Sequence, residues 1–369
     1  MRIVVTGGDG FIARTLRLRL AELGHVDVTG LTRSSGDEAW QAALSTAEMV
    51  FHLAGVNRPS DTAAFGPGNA GLTASVCDQL AAAGRRATLV LSSSAQAALD
   101  NPYGRSKREA EAIVAGYVSA TGARGCVLRL PNVFGKWARP NYNSAVATFC
   151  HNITRGLPIT VHESAAPLRL MHVDDVADAM IALLPPSAVS GTVPAAPVYE
   201  STVGEVATLV QAFADSRKTL AIPRVGAGFT RAPYSTYVSY LPPAAFAYPL
   251  VRHADARGAF SEVLRTEDSG QVSFFTARPG VTRGEHYHHA KTEKFLVVQG
   301  HGRFRFRHLV TDERCTIDVE SAVPRVVETV PGWVHDITNI GSEEMVVLLW
   351  ANEVFDPKRP DTISSKVVP

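Results

Sequence analysis

The sequence predicts an α/β fold with a doubly wound parallel sheet, followed by an all-β domain. Three observations carry this. The chain opens as a short apolar strand, a glycine turn and a helix. Strand and helix patterns then alternate to about residue 185, which is how a parallel sheet with helices on both faces reads. From about residue 250 short strands follow one another, with turns every 8–12 residues. We place a first domain at 1–245 and a second at 246–369. A chain of 369 residues has room for both, because a single core stops growing at roughly 250–300 residues.

Composition narrows the function class. Hydrophobic residues make up 46% and charged residues 19%, with a net charge of +1, as in ordinary soluble globular proteins. No long basic run suggests a groove for nucleic acid. Cys77, Cys126, Cys150 and Cys315 are scattered without a Cys-x-x-Cys, so they read as buried apolar residues in a reducing compartment. Met1-Arg2 runs directly into a strand, and no apolar run has the length of a membrane span. The expectation is a cytoplasmic protein with a small-molecule substrate, and with neither a nucleic-acid nor a membrane partner.

Ile3-Val4-Val5 is the apolar run of a buried parallel strand. Gly7, Gly10 and Ala13 follow as a G-x-x-G-x-x-[GA] fingerprint, with Phe11 and Ile12 opening the helix Phe11–Leu23. Such a turn lets backbone approach a pyrophosphate at the positive end of a helix. The second strand, His25–Leu31, ends in Thr32-Arg33-Ser34-Ser35. An acidic residue there would bind a ribose 2′-hydroxyl, whereas Arg33 suits a 2′-phosphate, so NADPH is favoured over NADH. The alternative is that Arg33 is a solvated loop residue. A third strand, Met49–Leu53, leads into Ala54-Gly55, where backbone can pass close to a cofactor.

The fourth strand, Thr88–Leu91, delivers Ser92-Ser93-Ser94, and Tyr103 and Lys107 stand beyond it. Tyr and Lys four residues apart share one face of a helix. An ammonium one turn away favours the phenolate, which suits Tyr103 to proton transfer near neutral pH. Alone, the pair could equally be an incidental one at an exposed helix start. The fifth strand, Val127–Leu130, runs into Pro131-Asn132. Lys136–Asn143 is polar and aromatic, ahead of a helix Ser144–Arg155. Arg139 and Asn143 are placed there to hold a diphosphate and uracil, or else are a surface Arg and a capping Asn. Arg169 could contact phosphate, and His172 with Asp174-Asp175 orients a turn and caps a helix Val176–Leu184.

Together the glycine turn, His52-Leu53-Ala54-Gly55, the serine triplet with Tyr103 and Lys107, and Arg169-x-Met171-His172-Val173-Asp174-Asp175-Val176 resemble the extended short-chain dehydrogenase/reductases (SDRs) acting on nucleotide sugars. The resemblance covers residues 1–185 and implies a Rossmann-type sheet. By it Ser94 holds the catalytic serine place, Tyr103 is the proton donor, and Lys107 orients the ribose and lowers the Tyr pKa. Gly7, Gly10, Phe11, Ile12, Arg33, Leu53, Ala54 and Gly55 would line the cofactor. Asn69 and Asn132 fall at cofactor-side and substrate-side positions.

In the second domain the strong signal is Gly280-(x5)-His286-x-His288-(x4)-Glu293-(x6)-Gly300, followed by His335. His286 and His288 are two apart, so on a strand they face the same side, and Glu293 and His335 can reach the same point from adjacent strands. Three imidazoles and a carboxylate suit a divalent transition metal, zinc first, with iron or nickel as alternatives. Tyr287 and His289 alternate outward. Arg303, Arg305 and Arg307 share one face, read as solvated. The spacing resembles the cupin double-stranded β-helix, although Pro331 and Gly332 are adjacent where that family spaces them. Asp255–Glu262 is similar to the opening of sugar-nucleotide 3-epimerase cupins, which implies a nucleotide-diphosphate contact for Arg257, often from a neighbouring subunit.

An SDR followed by a metal cupin resembles the bifunctional capsular-polysaccharide enzymes of the CapF type. This implies 3-epimerisation of a UDP-4-keto-6-deoxy-N-acetylhexosamine in the cupin. NADPH-dependent reduction at C4 would follow, giving UDP-2-acetamido-2,6-dideoxy-L-talose on the way to UDP-N-acetyl-L-fucosamine, in a homodimer. The rival readings are a nucleotide-sugar epimerase or dehydratase that retains NAD, with the cupin as a binding or oligomerisation module, and a non-enzymatic NADP(H) sensor.

Overall fold

The computed structural model describes residues 1–24, 27–251, 253–255, 258–260, 263–264, 270–353 and 358–368. In chain order the first elements are β1 (Arg2–Thr6), α1 (Phe11–Glu22), β2 (Asp27–Leu31), α2 (Asp37–Thr46), β3 (Met49–His52), α3 (Leu72–Ala82), β4 (Thr88–Ser94), α4 (Pro102–Thr121) and β5 (Gly125–Leu130). There follow β6 (Asn132–Phe134), α5 (Ala145–Ile153), β7 (Pro167–His172), α6 (Val173–Ile181), β8 (Gly191–Val193), β9 (Tyr199–Thr202), α7 (Val203–Thr219) and α8 (Gly228–Ser239). The remainder is β structure: β10 (Ala247–Pro249), β11 (His253–Asp255), β12 (Gly258–Phe260), β13 (Gln271–Ala277), β14 (Thr282–Tyr287) and β15 (Glu293–Gln299). It closes with β16 (His301–His308), β17 (Arg314–Glu320), β18 (Arg325–Glu328), β19 (Trp333–Asn339), β20 (Met345–Ala351) and β21 (Ile363–Ser364).

Contacts divide the chain into two units that do not follow chain order. The first comprises residues 1–134, 142–144 and 167–201, and the second 135–141, 145–166 and 202–369. The first unit is a six-stranded sheet in the order β2-β1-β3-β4-β5-β8, and its ladders are parallel. Alternation along β1 covers both faces. Ile3 and Val5 pack with Leu16 and Leu20 of α1 and Val176 and Met180 of α6. Val4 packs with Leu44 of α2, Val76 of α3 and Val114 of α4. The chain leaves β1 for β2 on one side and returns to β3 on the other, so the carboxyl ends of β1 and β3 form the switch point where such sheets bind ligands.

The second unit sets α5, α7 and α8 with two antiparallel five-stranded sheets, ordered β10-β18-β15-β20-β13 and β17-β16-β19-β14-β21. Helix α7 is entered through a capping box between Thr202 and Glu205. An aromatic cluster fills the unit's interior: Phe295 lies 5.6 Å from Phe304, and Phe246 lies 5.4 Å from Phe306 and 5.0 Å from Trp333, between ring centroids. This is the cupin-like domain expected after the Rossmann-type sheet.

Several local readings need correction. Helix α6 starts at Val173, so Asp174 and Asp175 lie inside its first turn. Helix α5 starts at Ala145, which leaves Asn143 two residues ahead of it. The arginine row of β16 is paired along its length, solvated at Arg303 and drawn onto a buried carboxylate at Arg305. Arg303 grips Asp318 at 2.7–2.8 Å, and Arg305 grips the buried Asp336 at 2.8–2.9 Å. Tyr287 and His289 share a side but are buried, ring against ring.

Candidate active site and metal centre

At the switch point a cleft of about 1280 Å³ opens between the glycine turn and the β3 end. Gly7, Gly10, Arg33, Leu53, Ala54 and Gly55 all line it. Gly7 has φ +68, and a Cβ there would lie 2.9 Å from the Ala54 backbone, so no other residue lets β1 and β3 close this tightly. Phe11 and Ile12 are not among the lining residues. They form the first turn of α1, where the helix leaves backbone N–H groups unpaired, and Ile12 packs on the core. Asp37, which the sequence reading did not single out, also lines the cleft.

The serine triplet divides its work. The Ser92 carbonyl accepts from Lys107 Nζ at 3.1 Å. Ser93 donates to Glu111 at 2.5 Å, and Glu111 is gripped by Arg129 through both carboxylate oxygens. Ser94 caps the turn Ala95–Ala98 through the Gln96 N–H and lies close enough to the Tyr103 phenol to favour its ionised form. Ser94, Tyr103 and Lys107 therefore meet in one place, as the spacing predicted. Asn101 caps α4 through the Gly104 N–H at 2.7 Å. Gly104 is required there, because a Cβ would fall 2.3 Å from the Gln96 carbonyl and 2.6 Å from that of Leu99. This contact, invisible in the sequence, seats Tyr103 beside Ser94.

The electrostatics correct one expectation. Burial raises the Tyr103 pKa, and the nearby Ser94 hydroxyl offsets only part of that. Lys107 lies 5.9 Å from the Tyr103 ring centre, and its own pKa is lowered to about 8 by burial. This chain therefore holds Tyr103 as the phenol.

Beneath these groups runs a buried polar chain that sequence patterns did not reveal. Thr6 Oγ1 accepts from the backbone N–H groups of Leu53 and Ala54 and meets His52 Nδ1 at 2.8 Å. His52 Nε2 meets Thr73 at 3.0 Å, and Thr73 donates to the Asn69 carbonyl. The Asn69 side chain is committed to both backbone groups of Val56 and to Ser106. Asn69 therefore holds the Gly55–Val56 backbone in place. A Cβ on Gly55 would lie 2.6 Å from Asn69 Oδ1 and 3.4 Å from Lys107 Nζ. Burial, then the Lys107 charge, lowers the His52 pKa to about 3, so this imidazole is neutral.

Of the substrate-side candidates, Asn132 and Arg169 are exposed on the paired strands β6 and β7, where Asn132 stands opposite Leu170. Arg169 makes only a loose pair with Glu200 at 3.8 Å. Asn143 is exposed in the first unit, next to Tyr142, whose hydroxyl donates to Asn57 at 2.6 Å. Arg139 is exposed and belongs to the second unit. Arg257 lies outside the described residues.

The metal candidates converge. His286, on β14, and His335, on β19, stand directly opposite in one sheet, Glu293 opens β15 in the other, and His288 lies on the loop between β14 and β15. One ligand atom from each lies within 4.8 Å of all the others. A bulge at Gly284–His286, with Gly284 at φ +104 and Glu285 at φ 54, aims His286 inward. His286 Nδ1 faces the Gly284 carbonyl at 3.0 Å, and His288 Nδ1 faces that of Asp361. A ring nitrogen facing a carbonyl must carry the proton, which leaves Nε2 as the lone-pair atom.

The donor set fits a cation. His288 Nε2 lies 3.0 Å from Glu293 Oε2, and His335 Nε2 lies 3.7 Å from the same oxygen, buried without a hydrogen-bond partner. Lone pairs crowding a carboxylate need a proton or a metal ion between them. Burial raises the Glu293 pKa, but His288, His335 and Lys291 outweigh it and hold the carboxyl well below the usual range. Burial and the neighbouring histidines lower His286 to about 3. Neutral imidazoles and a carboxylate are the forms that ligate.

Residues 3–193 match the NAD dependent epimerase/dehydratase family, and residues 253–363 match the polysaccharide biosynthesis C-terminal domain. The chain is 49% identical to a UDP-2-acetamido-2,6-beta-L-arabino-hexul-4-ose reductase of Pseudomonas aeruginosa, over 100% of this chain and 99% of that protein. It is 39% identical, with a TM-score of 0.68, to the crystal structure of the capsular polysaccharide assembling protein CapF from Staphylococcus aureus, with 100% of both chains covered. The chain belongs to the CapF-type family. A second CapF structure, with the inhibitor 3-isopropenyl-tropolone, matches this CapF-type chain at 36% identity and TM-score 0.64 over 100% of both chains. The two family matches leave residues 194–252 between them, the stretch that holds α7 and α8. Among the described residues no helix is long and apolar enough to cross a membrane.

Proposed function

We propose that this chain is a bifunctional nucleotide-sugar enzyme of capsular polysaccharide biosynthesis. Residues 1–245 would carry NADPH-dependent ketone reduction, and residues 246–369 a metal-dependent 3-epimerisation. The observation that carries the reading is the coexistence of two separate constellations, Ser94/Tyr103/Lys107 and His286/His288/Glu293/His335, in a chain aligned over its whole length with a reductase of a UDP-hexulose. The substrate is a UDP-4-keto-6-deoxy-N-acetylhexosamine, and the product UDP-2-acetamido-2,6-dideoxy-L-talose.

A divalent cation, zinc first, would be held by His286, His288, Glu293 and His335, and when bound supplies Lewis acidity that makes C3–H beside the C4 ketone removable. The chain's part there is to present neutral imidazoles in a largely apolar barrel. Epimerisation moves one proton off C3 and one back on the opposite face. Tropolone carries adjacent carbonyl and hydroxyl oxygens, a metal-chelating pair, so its inhibition of a relative favours a metal at work.

In the first domain NADPH, when bound, would supply hydride to a C4 ketone. Gly7, Gly10, Ala54 and Gly55, which line the cleft, would let backbone come close to its pyrophosphate and ribose, and Arg33 would meet the 2′-phosphate. Ser94 orients the C4 oxygen, Tyr103 donates the proton that this oxygen gains, and Lys107 restores the proton balance from beneath. Asn132, Arg139, Asn143 and Arg169 would contact the UDP-sugar. The protein works as a homodimer in this reading, checked by light scattering. The deciding experiment is incubation with UDP-4-keto sugars and NADPH in D2O. Deuterium at C3 with stoichiometric NADPH oxidation is expected. Turnover with catalytic NAD and no NADPH loss would favour the rival, an NAD-retaining epimerase.

A further inference from the structure

The C-terminal tail lies along the strand that carries His286. Strand β21 pairs with β14, Ser364 opposite His286 and Ile363 opposite Tyr287, and the Ser365 N–H donates to the Glu285 carbonyl at 2.9 Å. Arg307 fixes the tail beyond by donating to the Lys366 carbonyl at 2.9 Å, and Val367 is buried. Two residues before β21 comes Asp361. Its Oδ1 accepts from the His289 N–H at 2.8 Å, and its Oδ2 from the N–H groups of Ala290 and Lys291, both at 2.7 Å. Three successive backbone donors thus close on one carboxylate, an anion nest filled from within the chain. The Asp361 carbonyl accepts from His288 Nδ1.

We infer that Asp361 is a positioning residue of the metal centre, setting both the loop that presents His288 and the tautomer with which His288 would bind. This rests on the metal reading above. The loop held by the nest is short, with His288 at one end and Glu293 at the other. Its ends are held from elsewhere in the barrel. Gly332 N–H donates to the His288 carbonyl at 3.2 Å. Thr292 N–H donates to the Asn352 side chain at 2.9 Å, and the Thr292 carbonyl accepts from the Asn352 N–H at 3.0 Å. Glu293 N–H donates to Thr329 Oγ1 at 2.9 Å, and the Glu293 carbonyl accepts from the Thr329 N–H at 2.9 Å. Between those ends the backbone N–H groups of 289, 290 and 291 all go to Asp361. Removing its carboxylate leaves three backbone donors pointing at one another's neighbourhood with no acceptor, so the loop must rearrange and carry His288 with it. Charge-assisted bonds of this kind are also about twice as strong as neutral ones.

The test is zinc affinity of the full chain, read by competition with a chromophoric chelator, for wild type, Asp361→Ala and Asp361→Asn. Outer-shell changes weaken metal binding roughly 10–100-fold, and that loss is expected for Asp361→Ala. Asp361→Asn keeps an acceptor for one N–H and should fall between. Cobalt-loaded samples should show a changed visible band in Asp361→Ala, a signature that a purely structural loss does not give. NADPH affinity serves as the folding control and should stay within a factor of two. If the alanine variant does not fold, the asparagine variant decides. Wild-type zinc affinity and an unchanged cobalt band in the variants would overturn the inference. Failure of wild type itself to bind zinc or cobalt would sink the metal reading, a result distinct from equal binding by all forms.

Discussion

Coenzyme choice gives the sharpest test of the reductase half. Arg33 follows β2 on a turn that ties itself together. Thr32 Oγ1 meets Ser34 Oγ at 2.8 Å, and the Thr32 N–H donates to Ser35 Oγ at 3.1 Å. The guanidinium is exposed on the cleft wall. A hydrogen bond to a charged group contributes about 1.5–3 kcal/mol, and exposure to solvent puts this one near the lower end. Arg33→Ala should therefore weaken NADPH about 10- to 30-fold, at roughly 1.4 kcal/mol per tenfold, and leave NADH within about twofold. Fluorescence titration with both coenzymes at low and high salt measures this, and the wild-type advantage for NADPH should shrink as salt screens the pair. Asp37, on the same wall at the start of α2, provides the counter-test. If wild type prefers NADH and Asp37→Asn abolishes that preference, the carboxylate is the ribose partner and the assignment of Arg33 is wrong.

Other consequences are separable. Ser94→Ala should cost about 10²-fold or more in reduction with little change in stability. Ser93→Ala should keep turnover but lose about 1 kcal/mol, since Glu111 retains Arg129, as read by urea melts. Tyr103→Phe should lower NADPH oxidation by about 10²–10⁴ while C3 deuterium uptake persists, and His288→Ala should abolish the uptake. If both variants lose both reactions while folded, the two-site division fails. His52, with its pKa lowered to about 3, cannot take the proton it gains on unfolding near 6.5. The unfolded state binds more protons between those values. Stability is thus lost as pH falls below about 6.5, by up to ~1.4 kcal/mol per pH unit from this residue. His52→Gln should flatten the stability–pH curve by about one proton relative to wild type, and an unchanged slope would show that His52 protonates in place.

What was legible in the sequence was what sits close together in it. Gly7 and Gly10 flank one turn and Tyr103 and Lys107 one helical turn, so spacing alone predicts their juxtaposition; His286 and His288 also meet, although His288 lies just past the end of β14 and a bulge aims His286 inward. The long-range part was not. The residues around them do not distinguish Ser93 from Ser94; the family resemblance alone singled out Ser94, and in the fold Glu111 and the Tyr103 ring give the two different partners. Gly104 looks like a poor helix residue until the carbonyls of Gln96 and Leu99 are seen crowding it. Asp361 is 73 residues from His288, beyond any motif. Arg305 read as solvated because its buried carboxylate, Asp336, comes from β19, a strand whose register no pattern fixes.

The Tyr–Lys pair also bears on the chemistry. The sequence suggested that a neighbouring ammonium favours the phenolate, so that Tyr103 could transfer a proton near neutral pH, and the family resemblance made it the proton donor. In the folded chain burial works against that charge, because the Tyr103 pKa is raised and Lys107 itself is brought down to about 8. With the cation 5.9 Å from the ring centre and its Nζ committed to the Ser92 carbonyl, the site holds the phenol in its neutral form beside Ser94. A neutral phenol is a proton donor. The oxygen that needs a donor is the one formed when hydride reaches a ketone, so Tyr103 rests in the form that the proposed C4 reduction requires.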